Sequence, residues 1–174
     1  MNSSERFSEY KARFEAQGTD PEATVRLLVE GMVTLEQDEE LGAQMMALVL
    51  SKKLLQPDPG APSGQRFRAA DGTLGRLRAD PNIARSLVGG THQQGYADAD
   101  LSDLPVELDR GYSPGAQGVD YPRPGEARFF VRSGGADTPR PVNLARNSSG
   151  YWKVTNMSSL TSGVRRPAAQ ESDF

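Results

Sequence analysis

The sequence predicts an α+β fold in which an N-terminal helical hairpin packs on a C-terminal antiparallel β-meander. Three observations carry that prediction. Apolar residues recur at helical spacing as far as about residue 55. A stretch rich in proline and glycine then breaks the pattern at 56–64, and short alternating segments separated by turn residues follow residue 127. The chain of 174 residues fits one domain. It is expected to span 1–166, with a helical part at about 4–89, a loop-rich part at 90–126 and the meander at 127–156. A disordered polar tail is expected at 167–174.

Phe7, Tyr10 and Phe14 recur at i, i+3 and i+7, which marks a first helix starting near Ser3 or Ser4 and stopped by Gly18. Asp20-Pro21-Glu22 opens a second. Asp20 accepts from the orphan amides, Pro21 presets φ and Glu22 suits the dipole. Its buried face is Val25, Leu28, Val29, Met32 and Val33, flanked by Leu35. A third helix is expected from about Asp38 to Leu55 on Leu41, Met45, Leu48 and Val49, and the short junction at Gln37-Asp38 predicts an antiparallel hairpin. Met32, Met45 and Met46 read as flexible core filler.

Residues 56–64 form a loop. Residues 65–78 are arginine-rich, with a short helix expected around Gln65–Ala70. Asp80-Pro81 opens another helix through Leu87, ended by Gly89 or Gly90. From Thr91 to Glu126 turn residues dominate, and within them Pro105–Asp109 alternates as a short edge strand. Three strands follow, at Arg128–Arg132, Pro141–Arg146 and Tyr151–Thr155. Asn147–Gly150 forms a four-residue hairpin turn between the last two.

Composition excludes several chemistries. The chain has no cysteine, so disulfides, thiolate metal sites and a cysteine nucleophile are ruled out, and a reducing compartment is indicated. Its one histidine, His92, rules out a polyhistidine metal site and reads as a surface or capping residue. No apolar run is long enough to span a bilayer and the N-terminus lacks a signal-peptide pattern, so a soluble cytoplasmic protein is expected.

The 20 basic and 23 acidic residues are unevenly placed, with net charges of −5 at 1–60, +3 at 61–95, −5 at 96–126 and +4 at 127–174. The acidic blocks argue against nucleic-acid affinity, whereas the basic C-terminal block suits an anion, an acidic partner or the acidic segments of the chain itself. Asp98, Asp100 and Asp103 resemble the start of a calcium loop, but the glycine required at position six is missing and Pro105 interrupts it. No catalytic motif occurs. No metal and no cofactor is expected.

Ser133–Arg140 is the most unusual segment. Gly134 and Gly135 free the backbone to aim N–H groups at one point and Arg140 offers a fork of donors, although Asp137 opposes an anion and a wide hairpin connection has the same composition. Together with Gly150-x-Trp152, Ser158-Ser159-Leu160 and Gly163-Val164-Arg165, the run Phe130–Val142 resembles an uncharacterised family of small bacterial proteins. Its signature is F-V-[KR]-S-G-G-A-D-x-P-R-P-[VI], then G-x-W, S-S-L and G-[IV]-R. Asp80-Pro81 and Tyr112-Ser113-Pro114 resemble less specific upstream parts. The resemblance covers residues 20–166 and is strong over 128–165. It departs at Thr155-Asn156-Met157, where the family pattern is more aromatic.

The resemblance implies no activity. It does imply a shared structural or binding role for Ser133, Gly134, Gly135, Asp137, Arg140, Ser158, Ser159 and Arg165. The leading expectation is a non-catalytic accessory protein of a bacterial multi-protein system. It would contact a protein partner through a basic hairpin edge bearing Arg128, Arg132, Arg140 and Arg165. Two alternatives stand beside it: a small-anion-binding protein or enzyme using the Gly134–Arg140 loop, and an immunity or secretion-associated protein whose acidic helical face binds a basic partner.

Overall fold

A computed structural model describes residues 1–109 and 123–168. Residues 110–122 of the turn-rich stretch, with Tyr112-Ser113-Pro114, and the last six residues of the polar tail lie outside the described residues. The architecture is α+β, with helices first and a four-stranded antiparallel sheet last.

Helix α1 (Ser3–Gln17) opens with a capping box, in which Asn2 accepts from the Glu5 amide while the Glu5 carboxylate accepts from Asn2. Helix α2 (Pro21–Gln37) starts on Asp20 as predicted. Asp38 then ends α2 and caps α3 (Glu39–Val49) by accepting from the Leu41 amide. One linking residue therefore sets the hairpin. Gly31 and Gly42 let the two helices touch through their backbones, since a Cβ on Gly42 would lie 2.5 Å from the Leu35 Cα. Helix α2 is buried on more faces than its stripe implies, because Thr24, Leu27 and Thr34 are also covered.

The third helix stops earlier than its apolar pattern suggests. Leu50 is extended and bridges Val154 in parallel, and the Ser51 amide donates to the Val154 carbonyl at 2.8 Å. Pairing with the sheet outcompetes another helical turn. Lys52–Leu54 makes a single 3₁₀ turn, and β1 (Leu55–Pro57) pairs with β2 (Gln65–Phe67). The helix expected around Gln65–Ala70 is therefore a strand. Gln44 fixes it there, donating to the Gln65 carbonyl at 3.1 Å and accepting from the Ser63 amide and hydroxyl.

Helix α4 (Thr73–Ala79) lies in the arginine-rich stretch and buries Leu77. Helix α5 (Asn82–Arg85) follows Asp80-Pro81 but is only one turn long. The Asp80 carboxylate caps Asn82, and Gly89 takes φ +91° just beyond. The main sheet is ordered β3 (Leu108–Asp109), β4 (Glu126–Val131), β5 (Arg140–Arg146) and β6 (Trp152–Asn156). The expected three-strand meander thus gains the short edge strand. A bulge falls on β6 opposite Asn143 and Leu144.

Phe129, Val131, Val142, Leu144 and Val154 join the helical core in one apolar cluster. Strand β6 is stitched to all three N-terminal helical regions. Its Trp152 amide donates to the Gly18 carbonyl, the Trp152 carbonyl accepts from Thr24 Oγ1, and Lys153 Nζ donates to the Leu48 carbonyl.

Candidate functional site

The Ser133–Arg140 connection lies between β4 and β5, against the 3₁₀ turn at His92–Gln94 and the closing segment after β6. Its donors face inward. Gly134 N–H donates to the Ser86 carbonyl at 2.9 Å, and Gly135 N–H donates to Ser133 Oγ at 3.2 Å. Ser133 is buried, with its hydroxyl 3.0 Å from Ser86 Oγ. The Gly134 carbonyl accepts from the His92 amide, and the Gly135 carbonyl from the Arg165 amide. These amides do not form an open anion cradle, because each is already satisfied by the protein.

Glycine is required at both positions for close approach. A Cβ on Gly134 would lie 1.8 Å from the Gly90 carbonyl oxygen, and one on Gly135 would lie 2.4 Å from the Tyr96 hydroxyl. Arg140 is buried and donates to the carbonyls of Ser162 and Gly163. Burial pulls its guanidinium below the usual arginine range. Asp137 pairs with Arg165, and the Tyr96 hydroxyl donates to the Arg165 carbonyl. Tyr96 is fully buried at φ +63°, a left-handed conformation unusual for an aromatic residue.

Six of the eight sequence-selected residues therefore meet: Ser133, Gly134, Gly135, Asp137, Arg140 and Arg165. Ser158 and Ser159 stand apart in the 3₁₀ turn at Ser158–Thr161, where the Ser158 hydroxyl donates to Asn156 Oδ1 at 2.8 Å.

His92 Nδ1 is buried without a hydrogen-bond partner among the described residues. Two of the three aspartates of the calcium-like stretch are engaged by their own loop. Asp98 accepts from the Thr91 amide and hydroxyl, and Asp100 from the amides of Ser102 and Asp103. Among the described residues no group of acids or histidine is arranged to hold a metal, and no helix is long and apolar enough to cross a membrane.

The basic edge expected at Arg128, Arg132, Arg140 and Arg165 is largely engaged. Arg132 pairs with Glu107 at 3.0 Å, Arg165 with Asp137, and Arg128 donates to Asn143. A different basic surface is assembled by the fold. Lys52, Lys53, Arg146 and Lys153 surround a concavity of about 460 Å³ between the 3₁₀ turn after α3 and the β5–β6 hairpin. None of the four has a carboxylate within ion-pair distance among the described residues.

Lys153 is the most enclosed of the four. Its ammonium donates to the Leu48 carbonyl at 2.5 Å and lies 4.7 Å from the centre of the Phe14 ring. Burial, and secondarily the charge of Lys52, push its pKa down to about 8. Arg146 stacks over Trp152, with its guanidinium carbon 5.9 Å from the ring centre. Sequence reading assigned positive charge to the C-terminal block but missed Lys52 and Lys53. Their link to Lys153 runs through the Leu50–Val154 bridge, which no local pattern announces.

Comparison with curated proteins and with solved structures found no match. The family model described as "Domain of unknown function (DUF6935)" matches residues 2–168, nearly the whole chain, and the chain belongs to that family.

Proposed function

We propose that this chain is a non-catalytic binding protein, a cytoplasmic accessory component of a bacterial multi-protein system that engages an acidic protein partner. The observation that supports this reading is the group of four cations around the concavity beside β6, which have no carboxylate within ion-pair distance among the described residues. Five arginines elsewhere do have carboxylate partners. Arg13 pairs with Glu9 and Glu30, Arg78 with Glu39, Arg85 with Glu36, Arg132 with Glu107 and Arg165 with Asp137. Cations left without acids repel one another, and an acidic partner removes that repulsion while steering its own approach.

On this reading the Ser133–Arg165 cluster is architectural. It fixes the β4–β5 connection and the closing segment, so that the β5–β6 hairpin presents Arg146 and Lys153 in a constant place. A glutamate-rich peptide serves as the test ligand. It is expected to bind, to weaken as salt shortens the screening length to about 8 Å at physiological ionic strength, and to be lost in the double variant Lys52→Glu, Lys53→Glu. Absence of binding even at low salt, or binding indifferent to the charge reversal, would count against the proposal.

A further inference from the structure

We propose that the concavity beside β6 is a phosphoryl-binding site, taking the dianionic group of a phosphorylated side chain on the acidic partner. The inference rests on the acidic-partner reading and narrows its chemistry. The first argument is charge. A single carboxylate leaves most of the charge of Lys52, Lys53, Arg146 and Lys153 uncompensated, whereas a phosphoryl group brings about −1.5 to −2 and three acceptor oxygens.

The second argument is the supply of donors. Ser148 and Ser149 line the same concavity, and neither hydroxyl donates to a group among the described residues. Lys153 carries three ammonium protons, of which the Leu48 carbonyl takes one. The third is preorganisation. Contacts from α1 (the Phe14 ring) and α3 (the Leu48 carbonyl) hold the Lys153 head group in place before any ligand arrives. The last is size. About 460 Å³ admits a phosphoryl group together with the side chain that bears it.

Trp152, the only tryptophan in the chain, lies under Arg146 and reports occupancy by its fluorescence. Three ligands are titrated against the full chain: inorganic phosphate, an acidic peptide carrying one phosphoserine, and the same peptide with glutamate in its place. The phosphopeptide is expected to bind at least about tenfold more tightly than the glutamate peptide, and inorganic phosphate to compete with it. The double variant Lys52→Ala, Lys53→Ala, at two exposed positions, is expected to abolish that preference.

Equal binding of the two peptides, weakened equally by the variant, overturns the phosphoryl site and leaves the acidic-partner reading standing. Binding of neither peptide overturns both. A phosphopeptide preference that survives the double substitution overturns the assignment to this concavity.

Discussion

At Gly134 the chain passes so close to Gly90 that no side chain fits between them. The contact is with backbone, which cannot rotate away as the end of a flexible side chain would. Gly134→Ala is therefore expected to lower unfolding free energy by about 3 kcal/mol, the upper part of the usual overpacking range, as read from urea denaturation. A loss below about 1 kcal/mol would mean that the loop yields easily. The consecutive glycines were legible in the sequence as backbone freedom, but not its purpose. Free amides for an anion and room for a crossing strand of chain require the same residue.

Lys153 gives a pH-dependent prediction at the same scale. Its folded pKa of about 8 lies below the ordinary lysine value of 10.5. Below pH 8 both states hold the proton, and the folded state bears the whole cost of burying the ammonium. Between 8 and 10.5 the unfolded chain keeps the proton and the folded chain releases it, so this group's contribution to stability rises with pH. Urea unfolding of the wild type and Lys153→Met at about pH 7 and about pH 9.5 should show the difference moving in favour of the wild type at the higher pH. A difference independent of pH would contradict the assignment.

At the scale of elements, caps and stripes were the readable signals. Asp20-Pro21 and Asp38 start helices where their chemistry requires. Asn147 and Gly150 turn the β5–β6 hairpin, with the Asn147 side chain accepting from the amides of Ser149 and Tyr151 and Gly150 at φ +88°. The failures occur where pairing decides. Leu54 and Leu55 extend the apolar stripe of α3, yet the chain leaves the helix at Leu50 because Val154 offers its backbone.

Strand β2 has only three residues, and no local pattern distinguishes it from a short helix. It holds because the buried amide of Gln44 spans Ser63 and Gln65. Gln44→Ala is expected to cost about 2 kcal/mol through unsatisfied polar groups, with amide exchange accelerating first in β1 and β2. Acceleration spread evenly over the helices would show that Gln44 serves the core rather than the ribbon.

At the scale of the molecule, β6 is where distant parts meet. It receives Gly18, Thr24, Leu48 and Ser51 on its backbone or side chains, joining the ends of α1 and α3 and the start of α2 to the sheet. The same convergence gathers Lys52, Lys53, Arg146 and Lys153 around one concavity. The sequence by itself determined the α+β class, the helical hairpin, the β5–β6 turn and the apolar faces that form the core, because caps, periodicity and turn geometry act over a few residues. Only the tertiary structure decided where α3 ends, that residues 65–67 pair as a strand, which arginines find carboxylates and which cations gather around one concavity. Those outcomes depend on hydrogen bonds and charges between residues that can lie about a hundred positions apart or more, and no local pattern encodes which partner will arrive.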